Sequence, residues 1–170
     1  YERIRKEFHS YVISLKKKRR ISIGPNITIV FENQDTVRHQ IQEMMRVERI
    51  VEEDRIQLEI DTYNDLIPNN DELAGTLFIE IEDQSNIKKD LERFQGIDQH
   101  GMLYIKLDEE RIYANFEEGR SKEDKISAVQ YIRFRFSQDQ IETFRTTNQS
   151  WICVDHANYH KTTQITPDIR

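Results

Sequence analysis

The sequence predicts a single α+β domain, with a mixed or mainly antiparallel sheet of about five to seven strands, an N-terminal helix, a central helix pair and two short helices. Its 170 residues suit one hydrophobic core. It has only four Ala but 23 Ile, which favours sheet over a helical bundle. Alternating apolar and polar runs joined by short connections predict antiparallel neighbours.

The first third of the chain contains most of the predicted helix. Apolar residues recur at helical spacing over residues 2–18, and again over 36–52 and 54–66, which form the central pair. Between the first helix and the pair, Ile21–Ile23 and Ile27–Phe31 predict two short strands around Gly24-Pro25.

The remaining elements follow from alternation and from turn residues. In chain order we expect a strand over 74–82, a short helix ending near 94, a hairpin of 103–107 with 112–116, a loop over 117–126, a strand over 127–136, a short helix over 138–147 and a strand over 151–154. Residues 1–160 therefore form the predicted domain. The polar segment 161–170 is predicted to be a frayed C-terminal tail.

Composition excludes several classes of protein. No apolar run reaches the roughly 20 residues of a membrane-spanning helix. The single cysteine, Cys153, excludes a disulfide framework and is compatible with a cytoplasmic location. No Gly-rich phosphate loop and no Ser or Cys nucleophile motif is present, so the sequence leans away from an enzyme, without deciding the question.

Charge is unevenly distributed along the chain. Residues 1–20 contain eight basic and two acidic residues, a net charge of +6. Because the whole chain has a net charge of −6, the remaining residues carry a net charge of −12. The basic run Lys16–Arg20 could bind phosphates, and a sheet face could offer bases the rings and cations of Tyr104, Lys106, Tyr113, Tyr131, Arg133 and Arg135. A solvated helix end is the commoner interpretation of the run. Because the net charge opposes wide phosphate contact, nucleic acid is an unlikely partner.

The densest group of reactive side chains lies near the C-terminus. His156 and His160 are four residues apart beside Asp155, and His39 and Glu43 have the same spacing on the second helix. If these segments met, they could form a transition-metal site for Fe, Zn or Mn from His156, His39, Glu43 and His160. The alternative is a hydrogen-bonded His156 and a solvated His160.

The second helix also carries many charged residues, including Glu43, Arg46, Glu48 and Arg49. Such a pattern is usually a solvated face, in which each ion pair contributes a few tenths of a kcal/mol. The other interpretation is the wall of a polar ligand-binding pocket.

Several segments resemble an uncharacterised bacterial family, domain of unknown function 3501 (DUF3501). They include Tyr1–Phe8, Gln40–Arg49, Glu59 to Pro68, and Val154-Asp155-His156 with Tyr159, and the resemblance covers most of the chain. The resemblance implies a cytosolic single domain with no assigned activity. It also implies an association with rubrerythrin-like and iron–sulfur oxidoreductase systems. The family pattern coincides with a set of polar residues, which predicts a ligand site between the helix pair and the C-terminal loop: Gln42, Glu43, Arg46, Glu48, Arg49, Glu59, Tyr63, Asn64, His156 and Tyr159.

Three functions remain open on these grounds. The first is a binding or accessory protein that docks onto a redox partner. The second is a metal-binding protein or a metal-dependent enzyme that uses the His/Glu site. The third is a nucleic-acid-binding module. The sequence leaves the oligomeric state open.

Overall fold

The computed structural model describes residues 1–119 and 126–169, which contain five α-helices and two antiparallel sheets. The helices are α1 (Arg5–Lys18), α2 (Gln34–Glu48), α3 (Glu53–Asn64), α4 (Ile87–Glu92) and α5 (Gln138–Thr146). The strands are β1 (Arg20–Ile23), β2 (Ile27–Phe31), β3 (Glu72–Ile79), β4 (Leu103–Leu107), β5 (Glu110–Tyr113), β6 (Asn115–Phe116), β7 (Val129–Arg135), β8 (Ser150–His156) and β9 (Tyr159–Gln164). A 3₁₀ turn, Gln84–Asn86, precedes α4.

The strands form two sheets, where the alternation pattern predicted one. The first sheet has the order β1-β2-β3-β7-β6 and the second the order β5-β4-β8-β9, with every neighbouring pair antiparallel. The predicted α+β domain and its antiparallel pairing are therefore confirmed. The number of sheets was wrong because alternation shows which face of a strand is buried, and not which sheet the strand joins.

The hydrophobic core lies between the two sheets. Fully buried side chains come from both of them, among them Ile29, Phe31, Leu77, Phe134, Leu103, Ile105 and Ile152. The edges of the sheets are also joined by hydrogen bonds, since Thr163 Oγ1 of β9 donates to the carbonyl of Ser22 in β1 at 2.9 Å. One continuous core explains why both sheets belong to a single domain.

The face of the first sheet that points away from the core between the sheets packs against α1 and α2. Thr28, Val30, Glu32 and Thr76 on this face are at most 6% exposed. Val12 of α1 and Val37 of α2 are also buried, and Thr36 of α2 donates a hydrogen bond to Glu32. Because the β1–β2 hairpin reverses the chain, α1 and α2 lie side by side over this face, and this arrangement positions the candidate site.

The helix pair begins and ends earlier than predicted. The second helix starts at Gln34 because Asn33 caps it, accepting from the backbone N–H of Thr36 in a capping box. It ends at Glu48, where Arg49 takes a left-handed conformation with φ 53°. The third helix then begins at Glu53.

The C-terminal segment was expected to fray, but most of it is ordered. Residues 161–164 belong to β9, which pairs with β8, and Ile165 and Ile169 are at most 4% exposed within the core. Because these two isoleucines stand among polar residues, the sequence shows no apolar pattern that would indicate their burial. The predicted loop at 117–126 falls largely on residues 120–125, which lie outside the described residues.

Candidate functional site

Three side chains with metal-binding donors meet between α1 and α2. One ligand atom from each of His9, His39 and Glu43 lies within 4.8 Å of the other two. His9 Nδ1 and His39 Nε2 are 2.9 Å apart, so they share one proton in a hydrogen bond. Among the residues that the structure describes, this is the one group of three or more His, Cys, Asp or Glu donors so arranged.

The helix geometry brings the three residues together. His39 and Glu43 are four residues apart and therefore lie on one face of α2. His9 is four residues after Arg5 on the facing side of α1, so Arg5 is opposite Glu43 and His9 is opposite His39. The ring of Phe8 packs at 5.8 Å from the ring of His39 and closes one side of the cluster.

Glu43 accepts hydrogen bonds on both carboxylate oxygens. Arg5 donates through Nε to Oε1 and through Nη2 to Oε2, each at 2.8 Å. Tyr1 Oη donates to Oε1 at 2.5 Å, and Arg46 Nη2 donates to Oε2 at 3.4 Å. These bonds, chiefly those from Arg5, hold the pKa of Glu43 well below its usual range against the opposing effect of burial. Glu43 is therefore a carboxylate across the physiological pH range.

The same contacts affect Tyr1. Burial, followed by its hydrogen bond to Glu43, raises the pKa of Tyr1 to about 12. Its hydroxyl therefore keeps its proton and remains a donor to the carboxylate.

His39 is only 8% exposed, and this burial sets its protonation state. Burial lowers the pKa of His39, and although Glu43 raises it, the nearby His9, Lys16 and Arg5 lower it further. His39 is therefore a neutral imidazole at neutral pH, the form in which His ligates metals.

The spacing of the donors agrees with coordination geometry. Two nitrogen ligands at roughly 2.1 Å from one ion, at an angle of about 90–110°, lie about 3.0–3.4 Å apart. The 2.9 Å between His9 Nδ1 and His39 Nε2 is close to that range. An ion at about 2.1 Å from both nitrogens would lie to one side of the line between them, so the two rings would have to turn toward it.

The structure puts His156 elsewhere, in a role that uses both of its ring nitrogens. Its Nε2 donates to the carbonyl of Gln95 at 2.8 Å, and its Nδ1 accepts from the backbone N–H of Asn158 at 3.2 Å. The residue is 5% exposed. Since neither nitrogen has a lone pair available, His156 stabilises the β8–β9 turn.

His160 and Tyr159 are likewise engaged away from α2. His160 Nδ1 pairs with Asp155 Oδ1 at 2.8 Å on the surface. Tyr159 is buried, and its hydroxyl donates to the carbonyl of Ile23 at 2.5 Å. Among the described residues, none of the hydrogen bonds and ion pairs connects 39–64 with 153–160. The predicted meeting of the helix pair and the C-terminal loop is not what the structure shows, because the β8–β9 turn contacts the β1–β2 turn instead.

The other residues of the predicted polar site are dispersed along the helix pair. Arg46 contacts Glu43, whereas Glu48, Arg49 and Asn64 are exposed. Glu59 and Tyr63 lie on α3, where burial raises the pKa of Tyr63, with further contributions from Tyr131 and Glu59. The side-chain oxygen of Gln42 is buried without a hydrogen-bond partner among the described residues.

The candidate nucleic-acid surface is divided in the structure. Tyr104, Lys106 and Tyr113 lie in the second sheet, whereas Tyr131, Arg133 and Arg135 lie in the first. They do not form the single face that the sequence suggested. In the basic run, Arg19 donates to the backbone carbonyls of Phe31 and Glu32, and it is not free to bind phosphate.

Sequence reasoning did not find His9, Arg5 or Tyr1. The available signal was the matched spacing of Arg5 with His9 and of His39 with Glu43, on helices that a short hairpin joins. Arg5 and His9 are one turn apart on α1, and Glu43 and His39 are one turn apart on α2. This matched spacing could have suggested that Arg5 faces Glu43 and that His9 faces His39.

The helices give no indication of a membrane span. Among the described residues, no helix combines the length and apolar character that crossing a bilayer requires. This agrees with the prediction from the sequence.

Comparison with known proteins places the chain in a family. Residues 1–170 match the family model described as "Protein of unknown function (DUF3501)". A crystal structure of a protein of unknown function from Burkholderia pseudomallei is similar over 99% of this chain and 89% of its own, with 34% identity and a TM-score of 0.90. A search of curated proteins found no match. The chain belongs to the DUF3501 family, as the resemblance had predicted.

Proposed function

We propose that the protein binds a divalent transition metal ion, of the Zn, Fe or Mn group, through His9, His39 and Glu43. The observation that carries the proposal is the approach of three donor atoms, each within 4.8 Å of the others, between two helices. Two imidazoles and one carboxylate are a donor set that these metals accept.

The protonation states favour binding. Glu43 is ionised, because Arg5 lowers its pKa, and His39 is neutral, because burial lowers its pKa. When both imidazoles are neutral, the proton between His9 and His39 sits on one of the two facing nitrogens, so metal binding requires that ring to carry its proton on its other nitrogen. An imidazole that takes up a second proton cannot bind a metal, so affinity should fall as pH drops into the range where histidine is protonated.

The hydrogen bonds on Glu43 set the cost of binding. Its two oxygens accept from Tyr1, twice from Arg5 and from Arg46, which fills the four positions of a carboxylate. An ion must displace one of these donors. The contact from Arg46 is the longest, at 3.4 Å, and it is the one that we expect to be displaced.

Three protein ligands would leave coordination positions open to water or to another ligand. Such a site is compatible with binding and with metal-dependent chemistry. The association with a redox partner, implied by the family resemblance, has no support in the fold or the comparisons and stays a prediction. Co-purification from the native host with an iron–sulfur or rubrerythrin-like protein would test it.

The metal proposal is tested with untagged protein. Calorimetric titration with Zn²⁺, Mn²⁺ and anaerobic Fe²⁺, with elemental analysis after gel filtration, should give about one equivalent of at least one metal at neutral pH. His9→Gln and His39→Gln should each weaken binding by roughly tenfold or more, because each removes a ligand.

The matched control is His160→Gln, which changes an exposed histidine that pairs with Asp155 and should leave affinity unchanged. Circular dichroism of each variant shows whether it is folded. His9 is only partly buried, so its substitution remains informative if His39→Gln is unstable. Binding that is absent in the parent protein, or equally strong in His9→Gln, would end the proposal.

A further inference from the structure

A cavity of about 300 Å³ lies on the helix-facing side of the first sheet, apart from the histidine cluster. Its lining comes from β3, β7, the segment after β2, the end of α3 and the residues around β6: Glu32, Asp65, Leu66, Ala74, Gly75, Asn115, Phe116, Glu117, Tyr131, Ile132 and Arg133. This volume is at the small end of the range for ligand pockets.

The register of the strands explains why space is left there. Ala74 of β3 pairs with Arg133 of β7 on one side, and its carbonyl accepts from the backbone N–H of Glu32 on the other. Ala74 is thus a small residue in a row between two long ones. Its methyl group leaves room between the side chains of Glu32 and Arg133.

The wall formed by Glu32 is unusual in its chemistry. Glu32 is 3% exposed, and its carboxylate accepts hydrogen bonds from two neutral hydroxyls, those of Thr36 and Thr76. Arg19 is close, but it donates to the backbone carbonyls of Phe31 and Glu32. Two hydroxyls fill about half of the acceptor positions of a carboxylate, so Glu32 can accept further donors.

The other wall offers little competition for a cation. Arg133 donates to the Glu72 carboxylate and to the carbonyl of Asp65, so its positive charge is largely neutralised within the protein. Asp65 adds negative charge at the exposed rim. Tyr131, which pairs with Thr76 and lines the cavity, provides a ring of the kind that attracts cations.

From this cavity and its buried carboxylate, we infer that the protein binds a small organic cation, a primary amine or a guanidinium compound. The cationic group donates to Glu32, and the apolar part lies over Ala74 beside Tyr131. The inference is independent of the metal site, since it shares no residue with His9, His39 or Glu43.

Calorimetric titration tests it with putrescine and agmatine, and with butanediol as a neutral analogue of putrescine. We expect saturable one-to-one binding of at least one cation and none of butanediol. Glu32→Gln removes the charge at nearly the same size; it keeps one acceptor oxygen for a threonine hydroxyl and replaces the other oxygen by an NH₂ donor, and it should weaken binding by roughly tenfold or more. Ala74→Met fills the cavity and should abolish binding.

Glu80→Gln is the matched control, because Glu80 is an exposed carboxylate that pairs with Arg20 outside the cavity. It should leave affinity unchanged, which separates a specific site from general attraction to an acidic protein. The inference fails if neither cation binds saturably at millimolar concentration, or if Glu32→Gln binds as well as the parent protein. Circular dichroism confirms folding, and Glu32→Gln decides the test if Ala74→Met does not fold.

Discussion

Replacing Tyr159 by Phe should destabilise the protein by removing one hydroxyl that joins the two sheets. Tyr159 belongs to β9 of the second sheet and is 5% exposed. Its hydroxyl donates to the carbonyl of Ile23 at 2.5 Å and accepts from the backbone N–H of Asn26 at 3.1 Å. Both partners lie in the β1–β2 hairpin of the first sheet, so this hydroxyl closes the edge of the core.

The size of the effect follows from the groups left behind. Phe keeps the packing against Phe94, whose ring centroid is 5.3 Å away. It leaves the carbonyl of Ile23 and the N–H of Asn26 without this partner, and an unsatisfied buried polar group costs about 1–3 kcal/mol. We expect the free energy of unfolding to fall by about 2 kcal/mol. In a domain of this size, that lowers Tm by about 4–8 °C.

Urea denaturation and thermal melts followed by circular dichroism measure the change. The matched control is Tyr11→Phe, because the Tyr11 hydroxyl donates to Asp35 on an exposed face of α1. It should change the free energy of unfolding by less than about 0.5 kcal/mol. A Tyr159→Phe protein as stable as the parent would show that the hydroxyl has no structural role and would revive a ligand-binding role for Tyr159.

Three further predictions concern stability. Because burial lowers the pKa of His39, the unfolded state takes up a proton before the folded state does, so the free energy of unfolding should fall as pH drops below about 6.5. In thermal melts between about pH 7.5 and 5, His39→Gln should make stability depend less on pH. An unchanged pH dependence would contradict a lowered pKa for His39. Ile169→Ala should cost about 2–5 kcal/mol in urea denaturation while Ile87→Ala, at a 41% exposed position, costs much less; equal effects would mean that the C-terminal segment is not in the core. Arg133→Met should cost about 2 kcal/mol or more in the same assay, since it removes one partner of the buried Glu72 carboxylate, and a loss under about 0.5 kcal/mol would show that the pair adds little.

The elements with strong local periodicity could be predicted from the sequence. The first part of the predicted hairpin matches β4 and β5, whereas residues 115–116 of its second run form β6 and pair with β7 in the other sheet. Ile132, Phe134 and Phe136 are buried, as their alternation predicted. These features depend on neighbouring residues, so a single sequence contains them.

Features that depend on distant contacts could not be predicted. The division into two sheets depends on the pairing of β4 with β8, across more than forty residues. The burial of Ile165 and Ile169 depends on a core formed by earlier elements, and neither residue belongs to an alternating run.

The candidate site was predicted in part for the same reason. His39 and Glu43 were found because they are one turn apart on α2. Their third companion, His9, is thirty residues earlier, and only the packing of α1 on α2 brings it near. His156 was a wrong choice of companion, because the backbone of Gln95 and Asn158 uses both of its ring nitrogens.

A crystal structure of the protein soaked with Zn²⁺, with anomalous diffraction data at the zinc edge, tests the proposed metal site most directly. The proposal predicts one strong anomalous peak at roughly 2.0–2.2 Å from His9 Nδ1, His39 Nε2 and a carboxylate oxygen of Glu43. It also predicts that Arg46 moves away from Glu43 when the ion binds. No peak between α1 and α2, with His9 and His39 still 2.9 Å apart in a hydrogen bond, would contradict it.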